Sequence, residues 1–277
     1  MTYTGYKYFD KLPDELTCKI LSGSSDGKSL KLKENEYGIV LSEDGDMMYT
    51  LRETGHGVQR VLFPTIELSK YDVVKPLNNE QYCAIDMLMD TSIRVKVLTG
   101  VFGSGKDYLM VNAALKLIEN GEFESLLYIR NNIEVKNTMP LGALPGEKDD
   151  KMRPWLMALA DHVGGTMGLD DLISRGIIQS EHLGFIRGRD IKNTLILSSE
   201  AENLTTEHVQ LLLGRVGRGS ALWLNGDYRQ IDSKVFEKNN GLKKLVDRLQ
   251  GHTLFGYVHL PKSERSAVAS LADLLDN

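Results

Sequence analysis

Arg94-Val-Lys-Val-Leu-Thr-Gly-Val-Phe-Gly-Ser-Gly-Lys-Asp-Tyr108 is the stretch on which the fold turns. Its first part, Arg94 to Thr99, alternates and is rich in β-branched residues, the pattern of a short buried strand. Gly100 to Lys106 follows at once, a glycine-rich loop that ends in a lysine. From Tyr108 to Glu119 the apolar residues Leu109, Met110, Ala113, Ala114, Leu117 and Ile118 recur at helical spacing, and Asn120-Gly121 supplies a C-cap. Strand, glycine loop, lysine and helix in this order form a phosphate-binding P-loop. The glycines let backbone N–H groups turn inward around phosphate oxygens, the helix N-terminus adds partial positive charge, and the lysine reaches the terminal phosphates. Gly100, Gly103, Ser104, Gly105, Lys106 and Asp107 are the expected nucleotide contacts. Asp107 breaks the pattern, because the residue after the lysine is ordinarily Ser or Thr, whose hydroxyl ligates Mg²⁺. A bare G-x-x-x-x-G-K also occurs as an ordinary turn; the strand before it and the capped helix after it are the context that favours phosphate.

Composition sets the bounds around this loop. The chain has 277 residues, 42% hydrophobic and 26% charged, which suits one large globular domain with a small appendage. A net charge of −5 and a pI near 5.7 argue against holding duplex nucleic acid by bulk electrostatics, and leave room for a narrow local groove. Cys18 and Cys83 are too few for a disulfide framework or a zinc site. No apolar leader or membrane-spanning run is visible, so the cytoplasm is the expected compartment and no membrane contact is expected.

Outward from the loop, the chain divides near residue 75. Residues 1–75 are punctuated by Gly, Asp and Ser, and Tyr37–Leu41, Met47–Leu51 and Val58–Phe63 read as strands of a small antiparallel β module. His56 reads as a solvated turn residue. Residues 76–277 alternate helix and strand. Asn78 or Asn79 caps a helix to Asp90, and Gln81 on it offers an amide suited to an adenine edge. Strands are expected at Ser125–Ile129, Ile177–Gly184, Asn193–Leu197, Ala221–Asn225 and Phe255–Leu260, with helices from Trp155, Asp170, Thr205 or Thr206, and Leu242, and a terminal helix after Arg265. Glu147 to Arg153 reads as a solvated face or loop. This order implies a doubly wound, mostly parallel α/β sheet with ligands at the carboxyl ends of its strands. Gly100, Arg130, Glu200, Asp227 and Arg265 all fall at or just past such ends.

The chemistry of nucleoside triphosphate hydrolysis assigns roles there. Glu200 is placed to orient the attacking water; the plainer reading is a carboxylate favoured by a helix dipole. Asp227 and Gln230 are placed to sense the terminal phosphate. Arg187, Arg189, Arg215 and Arg265 are candidates for transition-state stabilisation, though each taken singly also suits a surface.

From about Lys75 onward the chain resembles the PhoH family of P-loop ATPases, RecA-like proteins related to superfamily 1 helicases. The residues that carry the resemblance are Asn79-Glu-Gln81, Gly100 to Lys106, Leu141 to Gly146, Phe185-Ile-Arg-Gly-Arg189, Glu200-Ala-Glu-Asn203 with Thr205, Arg215, and Gly226-Asp227 with Gln230 and Asp232. It is most similar to the short PhoH-related proteins of large bacteriophages. The resemblance implies ATP and Mg²⁺ as cofactors, ATP hydrolysis, association with RNA or single-stranded DNA in helicase-like work, and a ring-shaped homo-oligomer. Longer relatives carry an N-terminal PIN nuclease domain; residues 1–75 are too short for one and lack its acidic cluster, so ribonuclease activity is not carried over. Arg130 aligns with a strand-end arginine of the family. Three positions depart from the pattern: Asp107 for Ser/Thr, Ser199 for a metal-supporting Asp, and Asp190 for Thr. Asp107 and Ser199 are expected to be neighbours around one Mg²⁺, hydroxyl and carboxylate having traded places. Against this, a carboxylate beside Lys106 opposes phosphate binding by about 4 kcal/mol for charges ~4 Å apart at a moderate effective dielectric. The alternatives are a nucleotide-binding or degenerate P-loop scaffold that acts through protein partners and, last, a kinase-like phosphotransferase with no visible acceptor site.

Overall fold

The computed structural model describes residues 2–23, 28–62, 65–68, 73–130 and 148–264. A four-stranded sheet contains β1 (Tyr6–Phe9), β2 (Tyr37–Leu41), β3 (Met47–Glu53) and β4 (Val58–Val61), in that order. β2–β3 and β3–β4 are antiparallel hairpins, as the turn residues predict. β1 was not expected, and it pairs with β2 in parallel, after a crossover through α1 (Asp14–Leu21). The module is therefore mixed rather than purely antiparallel. A parallel neighbour needs a long connection, and no local turn signal announces one.

The six-stranded sheet is built from β5 (Val95–Gly100), β6 (Ser125–Arg130), β7 (Ile178–His182), β8 (Thr194–Ser199), β9 (Ala221–Gly226) and β10 (Phe255–Leu260). Its order is β10-β5-β9-β8-β6-β7, and every pairing is parallel. Alternate residues of each strand enter two different cores. Leu98, Tyr128, Leu197 and Trp223 face one cluster; Val97, Ile129, Ile196 and Leu224 face the other. The first is covered by α2 (Asn79–Met89), α3 (Lys106–Glu119), α4 (Lys148–Ala160) and α5 (Gly165–Ser174), the second by α6 (Thr206–Leu213) and α8 (Gly241–Leu249). This is an α/β P-loop fold with helices on both faces. A short helix, α7 (Lys234–Lys238), went unread in the sequence. α4 begins at Lys148 and runs through Pro154, so of the two readings of the charged run, solvated face or loop, the loop does not hold from Lys148 on. The terminal helix and the Leu141 to Gly146 turn lie outside the described residues. No helix among the described residues is long and apolar enough to cross a membrane.

The smaller sheet packs on the larger one through specific contacts. Asn35 Nδ2 donates to the carbonyls of Thr253 and Phe255, both at 3.0 Å. Gly5 has φ +85° and lies so close to β10 that a Cβ would sit 1.7 Å from Tyr257 O, so only glycine fits. Tyr37 and Ile39 of β2 join the α2 side of the main core, while Val40 faces a satellite cluster with Ile20 and Leu30.

Candidate functional site

A cleft of about 440 Å³ opens at the carboxyl ends of β5, β9, β8 and β6. Gly103 and Gly105 take φ +73° and +86°, the left-handed conformation that turns the loop. Ser104 is fully buried, and its hydroxyl has no hydrogen-bond partner among the described residues. An orphaned buried hydroxyl in a loop bent by two left-handed glycines fits a phosphate oxygen as its missing partner. Lys106 Nζ rests on two carbonyls of its own loop, those of Gly100 and Val101, each at 2.9 Å. Burial lowers its pKa, and Asp107 next to it works in the opposite direction.

Asp107, Ser199 and Asn225 meet on the floor of the cleft. Ser199 Oγ is 3.4 Å from Asp107 Oδ1, and Asn225 Nδ2 donates to the same oxygen at 2.7 Å. Asn225 Oδ1 in turn accepts from the backbone N–H of Glu200 at 3.3 Å. One carboxylate and one hydroxyl are hard oxygen donors of the type Mg²⁺ takes when phosphates and water complete its shell. The pair expected to adjoin does adjoin.

Glu200 sits at φ +53°, a left-handed conformation rare for a residue with a side chain. Arg130 grips its carboxylate with Nε, at 3.0 Å, and with Nη2. Glu202 is buried behind it, accepts from Asp227 N at 3.1 Å, and has its pKa pushed up to about 8, chiefly by burial. Asp227 accepts from Arg229 N at 3.0 Å and from Gln230 Nε2 at 3.3 Å, so the expected phosphate-sensing pair is one hydrogen-bonded unit.

Four expected residues are placed elsewhere. Gln81 is buried behind the loop: its Oε1 accepts from Leu77 N at 2.9 Å and its Nε2 donates to Ser104 O at 3.0 Å. Its amide braces the P-loop instead of facing a base. Arg187 and Arg189 come after β7, the edge strand four places from β5, and do not line the cleft. Arg189 instead meets Glu181 at 3.3 Å. Gly100 also stands off the cleft: a Cβ there would lie 2.3 Å from Leu260 O, so it serves the packing of β5 on β10. Arg265 lies outside the described residues.

Nothing in the sequence alone singles out Glu202, Phe102 and Tyr108 as site residues, and Arg130 and Asn225 stand out there only as strand ends. Phe102 and Tyr108 border the cleft with exposed rings. Asn225 had a signal, a polar residue closing an otherwise apolar strand.

The fold, the loop geometry and the clustering of Lys106, Asp107 and Ser199 define a P-loop nucleotide-binding protein. The chain belongs to the PhoH family: the profile of the family described as PhoH-like protein matches residues 73–271. It is 34% identical to protein PhoH2 of Bacillus subtilis over 99% of this chain and 64% of that protein. It is 32% identical to protein PhoH2 of Mycolicibacterium smegmatis over 69% of this chain and 45% of the relative. A PhoH-like protein of Bacillus subtilis is 30% identical over 69% of this chain and 59% of its own length. The chain thus spans between about half and two thirds of these relatives.

Proposed function

We propose that the cleft binds ATP with Mg²⁺ and hydrolyses it, and that this hydrolysis is coupled to single-stranded RNA or DNA. The observation that carries the reading is the convergence of Lys106, Asp107, Ser199 and Glu200 on one cleft around an orphaned Ser104 hydroxyl. Lys106 leaves its loop carbonyls for the terminal phosphates, and the loop amides hold the chain of phosphates. Asp107 and Ser199 hold the Mg²⁺, which when bound neutralises phosphate charge. Glu200 orients the attacking water once Arg130 lets it go. With the Gln81 amide engaged, the exposed rings of Phe102 and Tyr108 are the proposed stacking surface for the base.

Arg187 and Arg189 do not line their own chain's cleft, and suit a neighbouring site in the proposed ring-shaped homo-oligomer. Residues 1–75 are the proposed accessory module, 76–277 the proposed ATPase unit, and the cytoplasm the proposed compartment. The test is ATP turnover by purified protein with Mg²⁺ and then Mn²⁺, with and without single-stranded RNA. Turnover that rises with RNA supports the reading; no turnover and no nucleotide binding by calorimetry overturns it.

Two observations favour the scaffold alternative. A carboxylate next to Lys106, and a Glu200 already paired with Arg130, are what a site that binds nucleotide without turning it over would hold. Tight ATP binding without hydrolysis is its signature.

A further inference from the structure

Behind the cleft a row of polar side chains runs across the ends of β5 and β10. Thr99, on β5 just before Gly100, is fully buried. Its hydroxyl lies 2.7 Å from Tyr257 OH and 2.9 Å from His259 Nδ1, both on the neighbouring β10. Tyr257 OH is hydrogen-bonded in turn to Tyr228. Tyr228 stands between Asp227 and Arg229, in the turn that carries the proposed phosphate-sensing Asp227–Gln230 unit. The row thus joins the strand that enters the P-loop, the edge strand β10 and the turn after β9.

Each hydroxyl has one proton to donate, so two arrangements keep every hydrogen bond of the row. In the first, all protons point towards the imidazole: Tyr228 donates to Tyr257, Tyr257 to Thr99, and Thr99 to an unprotonated Nδ1. In the second, all point away: Nδ1–H donates to Thr99, Thr99 to Tyr257, and Tyr257 to Tyr228, whose own proton leaves the row. Neither phenol ionises near neutrality, since burial raises Tyr257 to about 12 and Tyr228 higher still, and Asp247 of α8 adds to both. A protonated His259 carries a hydrogen on Nδ1 and permits only the second arrangement. His259 is half-buried, and burial lowers its pKa, which leaves the ring uncharged at neutral pH. Asp227 and Glu80 of α2 oppose that shift; Lys106 of α3 and Arg229 reinforce it. The imidazole is therefore within electrostatic reach of the lysine that awaits the terminal phosphates.

We infer that His259 is a positioning residue of the nucleotide site: through Thr99 and Tyr257 it sets the hydroxyl of Tyr228, and phosphates arriving at Lys106 draw a proton onto His259, reverse the row and reset the Asp227 turn. The proton comes from solvent and the hydroxyls rotate; no other bond forms or breaks. Because the bound state holds the proton more tightly, nucleotide affinity gains as pH falls from the bound-state midpoint of His259 to the free-state one. The row stands on its hydrogen bonds; the coupling rests on the nucleotide reading of the cleft.

Imidazole nitrogen and carbon NMR on the full chain reads the row without nucleotide. The chain has six histidines, and comparison with His259→Gln assigns the signal. At neutral pH an unprotonated Nδ1 is expected. Tyr228→Phe leaves Tyr257 without an acceptor in the second arrangement. The midpoint of the His259 titration is then expected to fall by about one pH unit, the equivalent of one buried hydroxyl left unpaired. Thr99→Val cuts the row, and in that background Tyr228→Phe is expected to move the midpoint no further, whereas Thr99→Ser keeps the wild-type response. Melting temperatures confirm that the variants fold. A hydrogen on Nδ1 of the neutral ring, or a midpoint unmoved by Tyr228→Phe, overturns the row; a merely structural Tyr228 would give the unmoved midpoint. Saturation with ADP and Mg²⁺ is expected to raise the wild-type midpoint. A midpoint that stays put while calorimetry shows ADP bound overturns the coupling alone. A chain that binds no ADP overturns the coupling and the nucleotide reading together, and the row is still decided by the nucleotide-free titration.

Discussion

Asn225 donates its side-chain amide to Asp107 Oδ1 at 2.7 Å, across 118 residues of chain. The same side chain accepts the Glu200 N–H at 3.3 Å, so one amide fixes both the carboxylate beside the P-loop lysine and the backbone of the proposed water-orienting residue. A hydrogen bond to a charged partner in a part-buried site contributes about 1.5–3 kcal/mol. Asn225→Ala is expected to lower ATP turnover at least about tenfold while raising KM less, because it disturbs placement more than binding. Steady-state kinetics with the variant check this; equal loss in KM alone would refute it.

The exchange of roles between Asp107 and Ser199 has its own signature. Asp107→Ser and Ser199→Asp each leave the metal pair with two hydroxyls or two carboxylates, and each is expected to reduce turnover by one to two orders of magnitude. The double variant restores a carboxylate–hydroxyl pair and is expected to recover most of the loss. Single losses that simply add in the double variant would show that the two positions do not act as one site.

Gly226 is hemmed in behind the cleft. A Cβ there would come 2.5 Å from Glu202 Oε2 and 2.8 Å from Leu242 Cδ2. Gly226→Ala is expected to cost about 1–3 kcal/mol in chemical denaturation and to weaken nucleotide binding by moving Glu202 towards the phosphates. Unchanged stability would mean that β9 and α8 separate more easily than their packing implies.

Lys96 is almost wholly buried on β5, donating to Leu88 O at 2.6 Å with its ammonium 4.7 Å from the Trp223 ring centre. Burial pulls its pKa from 10.5 down to about 7. Between those two values the unfolded chain holds a proton that the folded chain does not, so this residue makes stability rise with pH across that window. Below pH about 7 both states are protonated and the full penalty remains. Lys96→Met removes the slope. Its melting temperature relative to wild type is expected to be highest below neutrality and to decline towards pH 10. A difference independent of pH would refute the assignment.

The strands of the large sheet were legible because each is buried on both faces and so reads as an apolar run, Thr194–Ser199 and Ala221–Gly226 most plainly. The P-loop was legible because glycine positions and lysine are local. β1 was not: its half-exposed Tyr6-Lys-Tyr-Phe9 gains its meaning only from β2, which lies beyond α1. The start of α4 was obscured by Pro154, which suits a first turn and here lies inside the helix. In the cleft, Lys106 and Glu200 were found by type and position. Asn225 and the grip of Arg130 on Glu200 arise from strand order, which no spacing along the chain records. Gln81 was read as a ligand contact because an amide is equally suited to a base edge and to the two backbone groups it meets.

Helix α2 touches both halves of the molecule with consecutive turns. Gln81 holds Ser104 O, Tyr82 OH reaches Val61 O at 3.2 Å, and Asp86 takes Tyr37 OH at 2.8 Å and Arg52 at 2.9 Å. It acts as a strut with one face on the small sheet and the other under the phosphate loop. Trimming the chain at residue 76 would leave that strut standing on water, with Tyr82 OH and the Asp86 carboxylate stripped of the partners they take from the small sheet. The small sheet is in this sense the foundation of the P-loop, and the position of the loop is set in part by residues that never approach a nucleotide.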